Sequence, residues 1–142
     1  MEEYGFCNSV FHQNLPSPST DISGLTKITI DQSLDNATNT HSFVLNLLQN
    51  VSDPAEKNAL IACENAYKIV EESFQTAAVN FVDKNYEAVA DAERDTPRAQ
   101  ESCITSFGVP PNPPNPLVER NREMRILIAM SLVSARLLIN GN

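Results

Sequence analysis

The chain has 142 residues, 42% of them hydrophobic, which suits one domain with a single core. A formal net charge of −8 leaves no basic surface to neutralise phosphates, so nucleic acid is excluded as a partner. Only four glycines, no tryptophan, and nine prolines crowded mainly at 16–18 and 110–116 favour a few long helices over many short strands.

The opening MEEYGFCNSVF carries Cys7, one of three cysteines, so one must be left over if the other two pair. Glu2 and Glu3 stand where a signal peptide would have a basic start and an apolar run. Either the protein is intracellular, or the chain as given lacks its natural beginning. NLPSPST at 14–20 is a proline and serine break, and Asp21 is placed to cap the helix that follows. This first helix is expected to run to about Asn50 on a stripe of Ile30, Leu34, Ala37, His41, Val44 and Leu48. His41 reads as a partly buried seam residue, with no second histidine or cysteine at ligand spacing. Asn36-Ala37-Thr38 and Asn50-Val51-Ser52 are glycosylation sequons that fit a secreted protein.

The second helix has the clearest start: Asp53 as N-cap, Pro54 at the first helical position, and Glu56 three residues after the cap. Leu60, Cys63, Tyr67, Val70, Phe74, Ala77 and Phe81 alternate spacings of three and four, as in a bundle helix. A break at Asp83-Lys84-Asn85 precedes a third helix, with Tyr86, Val89, Thr96, Ala99, Cys103 and Ser106 or Phe107 on one face. Pro97 predicts a bend or a restart there, because proline removes a helical hydrogen bond. GVPPNPPNP at 108–116 reads as an extended, polyproline-like linker rather than a docking motif. The last helix turns Leu117, Met124, Ile128, Ser131, Ala135 and Leu138 inward. Its apolar core, Ile126 to Ile139, is too short for a membrane span and contains Arg136. The pattern as a whole predicts an all-α, up-down-up-down four-helix bundle over 21–142.

Cys63 and Cys103 both lie on inward stripes of helices that an antiparallel bundle sets side by side. A bridge would close about forty residues and stabilise by on the order of 4 kcal/mol, while two buried thiols in a reduced cell remain the alternative. Catalysis is not indicated. His12 and His41 are isolated, and there is no H-E-x-x-H, G-x-S-x-G, phosphate-binding glycine loop or C-x-x-C. Acid pairs such as Glu71-Glu72 and Asp91/Glu93 read as a solvated face, since residues 53–107 carry eleven acids against five bases. No metal and no cofactor are expected, and a binding protein is the default.

The ordered set YGFC at 4–7, DISGLTKITIDQSLDNAT at 21–38, LLQNVSDPAEKNALIACENAYKIVEESFQTA at 47–77, CITSF at 103–107 and NREMRILIAMSLVSARLL at 121–138 resembles the plant invertase and pectin methylesterase inhibitors. That resemblance implies a secreted, apoplastic or vacuolar bundle preceded by a small helical hairpin, of which residues 1–20 would be a truncated remnant. It also implies a disulfide between Cys63 and Cys103, and leaves Cys7 unpaired because its hairpin partner would lie upstream of Met1.

Such proteins bind an enzyme and cover its cleft, so the implied partner is an acid invertase or a pectin methylesterase. In the invertase branch a Pro-Lys-Phe stretch enters the sucrose site, and here that place reads Lys84-Asn85-Tyr86, keeping only the aromatic. In the other branch a small-residue run occupies helix three, where this chain has Arg94-Asp95-Thr96-Pro97-Arg98. Ser102 stands where the family often has threonine. The contact candidates are Glu64, Lys68, Glu71, Glu72 and Gln75 on helix two, and Lys84, Asn85, Tyr86, Glu87 and Arg94 around helix three. The competing readings are a non-inhibitory bundle of the same family, pollen- or storage-type, and an intracellular helical interaction module.

Overall fold

The computed structural model describes residues 21–140, and all the regular structure among them is helical. Cys7 and the proposed hairpin remnant lie outside the described residues. Helices α1 (Ile22–Asn50), α2 (Pro54–Val82), α3 (Tyr86–Glu93), α4 (Thr96–Ser106) and α5 (Val118–Asn140) follow one another along the chain. α3 and α4 together make the third rod of a four-helix bundle. α1 packs on α2 and α5, and the α3–α4 rod closes the ring against the same two helices.

α1 and α2 start where their caps predict. Asp21 Oδ1 accepts from the Gly24 N–H at 2.9 Å, and Asp53 Oδ2 from the Glu56 N–H at 2.9 Å. On α2 the predicted stripe is buried from Leu60 to Ala77, and Phe81 packs at its edge. On α1 the inner face is rotated slightly from the predicted one. Ile30, Ala37 and Val44 are buried, but Leu34, His41 and Leu48 sit on its flank, while Thr26, Thr29, Ser33 and Thr40 face inward.

The cause is α5, which presents Ser131 and Ser134 to α1. Ser33 and Ser131 hydroxyls are 3.0 Å apart, and those of Thr29 and Ser134 are 3.1 Å apart. These short polar side chains are satisfied by one another, so their burial does not carry the cost of unpaired hydroxyls.

The third rod breaks where Pro97 predicts. Without an N–H, Pro97 cannot bond the Glu93 carbonyl, and the Thr96 hydroxyl donates to that oxygen instead, at 2.7 Å. α4 then restarts with the proline in its first turn. The 108–116 linker, which its sequence predicts to be extended, is not extended throughout. Val109 to Asn112 fold into a turn closed by Asn112 N–H to Val109 O at 2.8 Å, with a cis Pro110–Pro111 bond and Asn112 at φ 55°. The second proline pair follows the turn, and Asn115 Oδ1 then receives the Leu117 N–H at 2.8 Å as the chain enters α5.

The core is cross-linked. Cys63 and Cys103 are fully buried and joined by a disulfide, their Cα atoms 4.3 Å apart, which fixes α2 against α4. Two buried hydrogen bonds add α5: the Tyr67 hydroxyl donates to Asn121 Oδ1 at 2.7 Å, and Gln100 Nε2 to the Asn121 carbonyl at 2.8 Å. Burial pushes the Tyr67 phenol well above its ordinary value, so it remains a donor.

Glu93, read with Asp91 as part of a solvated face, is instead a core residue. It is fully buried at the end of α3, and neither carboxylate oxygen has a hydrogen-bond partner. Desolvation pushes its pKa up to about 8, so it is held as a neutral acid.

Two outcomes are expected. Replacing Cys63 and Cys103 by alanine lowers unfolding free energy by about 4 kcal/mol, read from urea denaturation; a loss under about 1 kcal/mol contradicts the cross-link's role. Glu93 keeps its proton when folded but loses it when unfolded between pH 4.5 and about 8, so its contribution falls as pH rises through that window. Glu93→Gln is therefore expected to flatten the pH dependence of the urea midpoint and to stabilise the bundle most at pH 8.

Candidate functional site

Among the described residues no group of three His, Cys, Asp or Glu side chains is arranged to hold a metal, and no helix is long and apolar enough to cross a membrane. The largest depressions are shallow. One of 510 Å³ lies between α3 and the end of α5, lined by Ala90, Arg94, Leu132, Arg136, Ile139 and Asn140, and it brings together no acid/base pair. What the fold does present is a face, made by the outer side of α2, the α2–α3 turn and α3.

The turn is tightly specified. Asn85 N–H reaches back to Asn80 O at 2.9 Å and Lys84 N–H to Phe81 O at 3.0 Å, closing α2 in a Schellman motif. Lys84 takes the left-handed position this requires, at φ 59°, although it is not glycine. Asn85 then caps α3, its Oδ1 accepting from the Ala88 N–H at 3.3 Å. Tyr86, half-buried, packs its ring on Phe81 with centroids 5.9 Å apart. The Lys84-Asn85-Tyr86 stretch is therefore held in one shape by backbone bonds, a cap and an aromatic contact.

The ten contact candidates divide into two kinds. Lys68, Glu72 and Gln75 on α2, Lys84 and Asn85 in the turn, Glu87 on α3 and Arg94 at its end are exposed. Arg94 pairs with Asp91 within its own turn. Glu64, Glu71 and Tyr86 are partly buried instead, and the two glutamates meet His41 of α1, at 3.3 and 3.0 Å. His41 is partly buried, as read, but it stands on the flank of α1 toward α2, with two carboxylates as its neighbours.

The charged and polar list leaves out a second set. Ile61, Ile69, Val79 and Val82 of α2 are exposed, the last two by 62% and 77%. Their sequence signal is that they fall off the Leu60–Phe81 stripe while remaining large and apolar. Apolar anchors among polar neighbours are what protein interfaces bury at their centres. Of the two sequons, Asn50 is exposed at the end of α1, whereas Asn36 is half-buried mid-helix with the Thr40 hydroxyl 3.5 Å from its Oδ1.

Taken together, the described residues form a cross-linked bundle with a mixed polar and apolar face on two adjacent helices, the kind of surface by which proteins bind other macromolecules. The comparisons with known proteins agree. The model of the family described as plant invertase/pectin methylesterase inhibitor matches residues 1–133, and the chain belongs to that family, one of inhibitors and not of catalysts. A protein from Platanus orientalis described as "Putative invertase inhibitor" is 25% identical over 95% of this chain and 79% of its own length. A second with the same description, from Platanus acerifolia, is 24% identical over 95% of this chain and 75% of its own. The crystal structure of a pectin methylesterase inhibitor from Arabidopsis thaliana superposes with a TM-score of 0.78 at 17% identity, covering 96% of this chain and 95% of that one. A mutant form of an Arabidopsis pectin methylesterase inhibitor gives 0.81 at 17% identity over 93% and 87%. At that identity the two structures attest the fold.

The left-handed Lys84 gives a local test. Lys84→Gly is expected to raise stability by about 0.5 to 1 kcal/mol, because glycine adopts that φ without strain. An unfolding free energy lowered by the change would show that the lysine side chain contributes packing that outweighs its backbone cost.

Proposed function

We propose that this protein is a secreted inhibitor of a plant cell-wall carbohydrate enzyme, an acid invertase or a pectin methylesterase, and that it acts by laying the α2–turn–α3 face across the enzyme's cleft. The observation that carries this reading is that face, in which exposed apolar side chains stand among charged ones on a helix whose inner side is pinned by a buried disulfide. A preformed surface loses little conformational freedom on docking, so more of its contact energy is expressed as affinity. Lys68, Glu72, Gln75, Lys84, Asn85, Glu87 and Arg94 supply the polar contacts, Ile69 and Val79 the apolar anchors, and Tyr86 the aromatic of the turn.

Secretion is supported by the Cys63–Cys103 bond, which persists in oxidising compartments. The unit that binds is the bundle from residue 21 onward.

The test is direct. Purified protein is titrated into an acid invertase and, separately, into a pectin methylesterase, and one of the two activities is expected to fall to near zero at stoichiometric excess. If neither slows, the reading fails. Tyr86→Ala is expected to weaken inhibition about tenfold, the order of a truncated interface aromatic; unchanged inhibition removes the turn from the contact. Affinity is also expected to change between low and high salt, because most of the polar contacts are charged.

A further inference from the structure

We propose that the depression between the end of α4 and the first turns of α5 is a binding site for a small organic carboxylate. It holds 280 Å³ and is lined by Ile104, Asn115, Val118, Asn121, Arg122 and Arg125. Its polar lining consists of two asparagines and two arginines, and both asparagine oxygens are engaged. Asn115 Oδ1 receives the Leu117 N–H at 2.8 Å, and Asn121 Oδ1 receives the Tyr67 hydroxyl at 2.7 Å. What the recess offers is therefore N–H groups, which suit an anion and not a cation.

Two of these donors are unspent. Asn121 is only 3% exposed, its amide is oriented by the Tyr67 hydroxyl, and its Nδ2 has no hydrogen-bond partner among the described residues. Arg122 holds Glu119 through Nε and Nη2, each 3.3 Å from Oε2, while its Nη1 is buried and likewise without a partner. Leaving a buried donor unmade costs more than a made hydrogen bond contributes, so two such donors on neighbouring lining residues mark a place for acceptor oxygens.

Charge and shape narrow the ligand. The two lining guanidinium groups against the one carboxylate of Glu119 leave a single positive charge, which the N-terminal end of α5 supplements. Residues 108–142 as a whole carry four bases against two acids, although the chain has a net charge of −8. A monoanion is matched there, whereas a doubly charged phosphate would be covered with one charge uncompensated. Two N–H donors also match the two oxygens of a carboxylate. Ile104 and Val118 make the apolar part of the wall, against which the organic body of the ligand rests.

The site is separate from the docking face. At the end of α4 the Ser106 hydroxyl donates to the Ala59 carbonyl near the start of α2, at 3.3 Å, so the recess lies at the end of the bundle opposite the α2–α3 turn. A ligand there leaves the turn uncovered, and the proposal holds or fails independently of whether that face binds an enzyme.

Galacturonate is the probe, because it joins one carboxylate to a compact organic body. Its methyl ester removes the charge at nearly the same size, and inorganic phosphate supplies the other oxoanion. Each is titrated into the protein at constant ionic strength in a buffer free of carboxylate and phosphate, and binding is read by calorimetry and from the NMR signal of the Asn121 side-chain amide. Galacturonate is expected to bind saturably with a Kd of about 1 mM and to shift that signal, and the ester and phosphate to bind at least several-fold more weakly. Arg122→Gln and Arg125→Gln are each expected to weaken binding about tenfold, the order of one hydrogen bond to a charged group. Arg125 is exposed, so its variant keeps the bundle folded and decides the question even if Arg122→Gln does not fold. Lack of saturable galacturonate binding overturns the proposal, as does equal binding of the ester, tighter binding of phosphate, an unmoved Asn121 signal, or full affinity in either variant.

Discussion

Cys63 and Cys103 meet at fully buried positions of α2 and α4, and their bond fastens the helix that carries the outer face to the rod that must restart after Pro97. α4 is a short helix with no side-chain bond at its N-cap Asp95. Alone it would be marginal, since isolated helices of this length barely form in water. Cross-linked to α2, and tied to α5 through Gln100 and Asn121, it becomes a fixed wall of the bundle. The rigidity of α2's outer side follows from this fastening of its inner side.

The same economy shows in how α1 is placed. A helix packed entirely by leucine and isoleucine would stand farther from α5 than one meeting it through serine and threonine. Here Thr29, Ser33, Ser131 and Ser134 pair their hydroxyls across the seam. The resulting rotation of α1 moves His41 out of the seam's centre and onto the flank that faces α2. The contact of His41 with Glu64 and Glu71 is thus a by-product of small polar residues on the opposite side of the same helix.

Two carboxyl environments differ. Glu93 is fully buried with no hydrogen-bond partner and is held neutral by its surroundings, so rising pH weakens the core at the end of α3. Glu64 and Glu71 are partly exposed, and both meet His41 across the α1–α2 flank.

The sequence by itself determined the helices and their inward faces. Capping residues at Asp21 and Asp53, the Leu60–Phe81 stripe and the helix-breaking chemistry of Pro97 are local signals, and local signals survive without knowing what lies opposite. They sufficed for the bundle, and with the ordered motifs they pointed to the family. Only the tertiary structure decided what each flank meets. That Glu93 is buried without a partner, that His41 stands between two glutamates and that Ile69 and Val79 are left outside all depend on residues far away in the chain. Pairings of that kind are set by the rotation and spacing of whole helices, which no spacing within one helix contains.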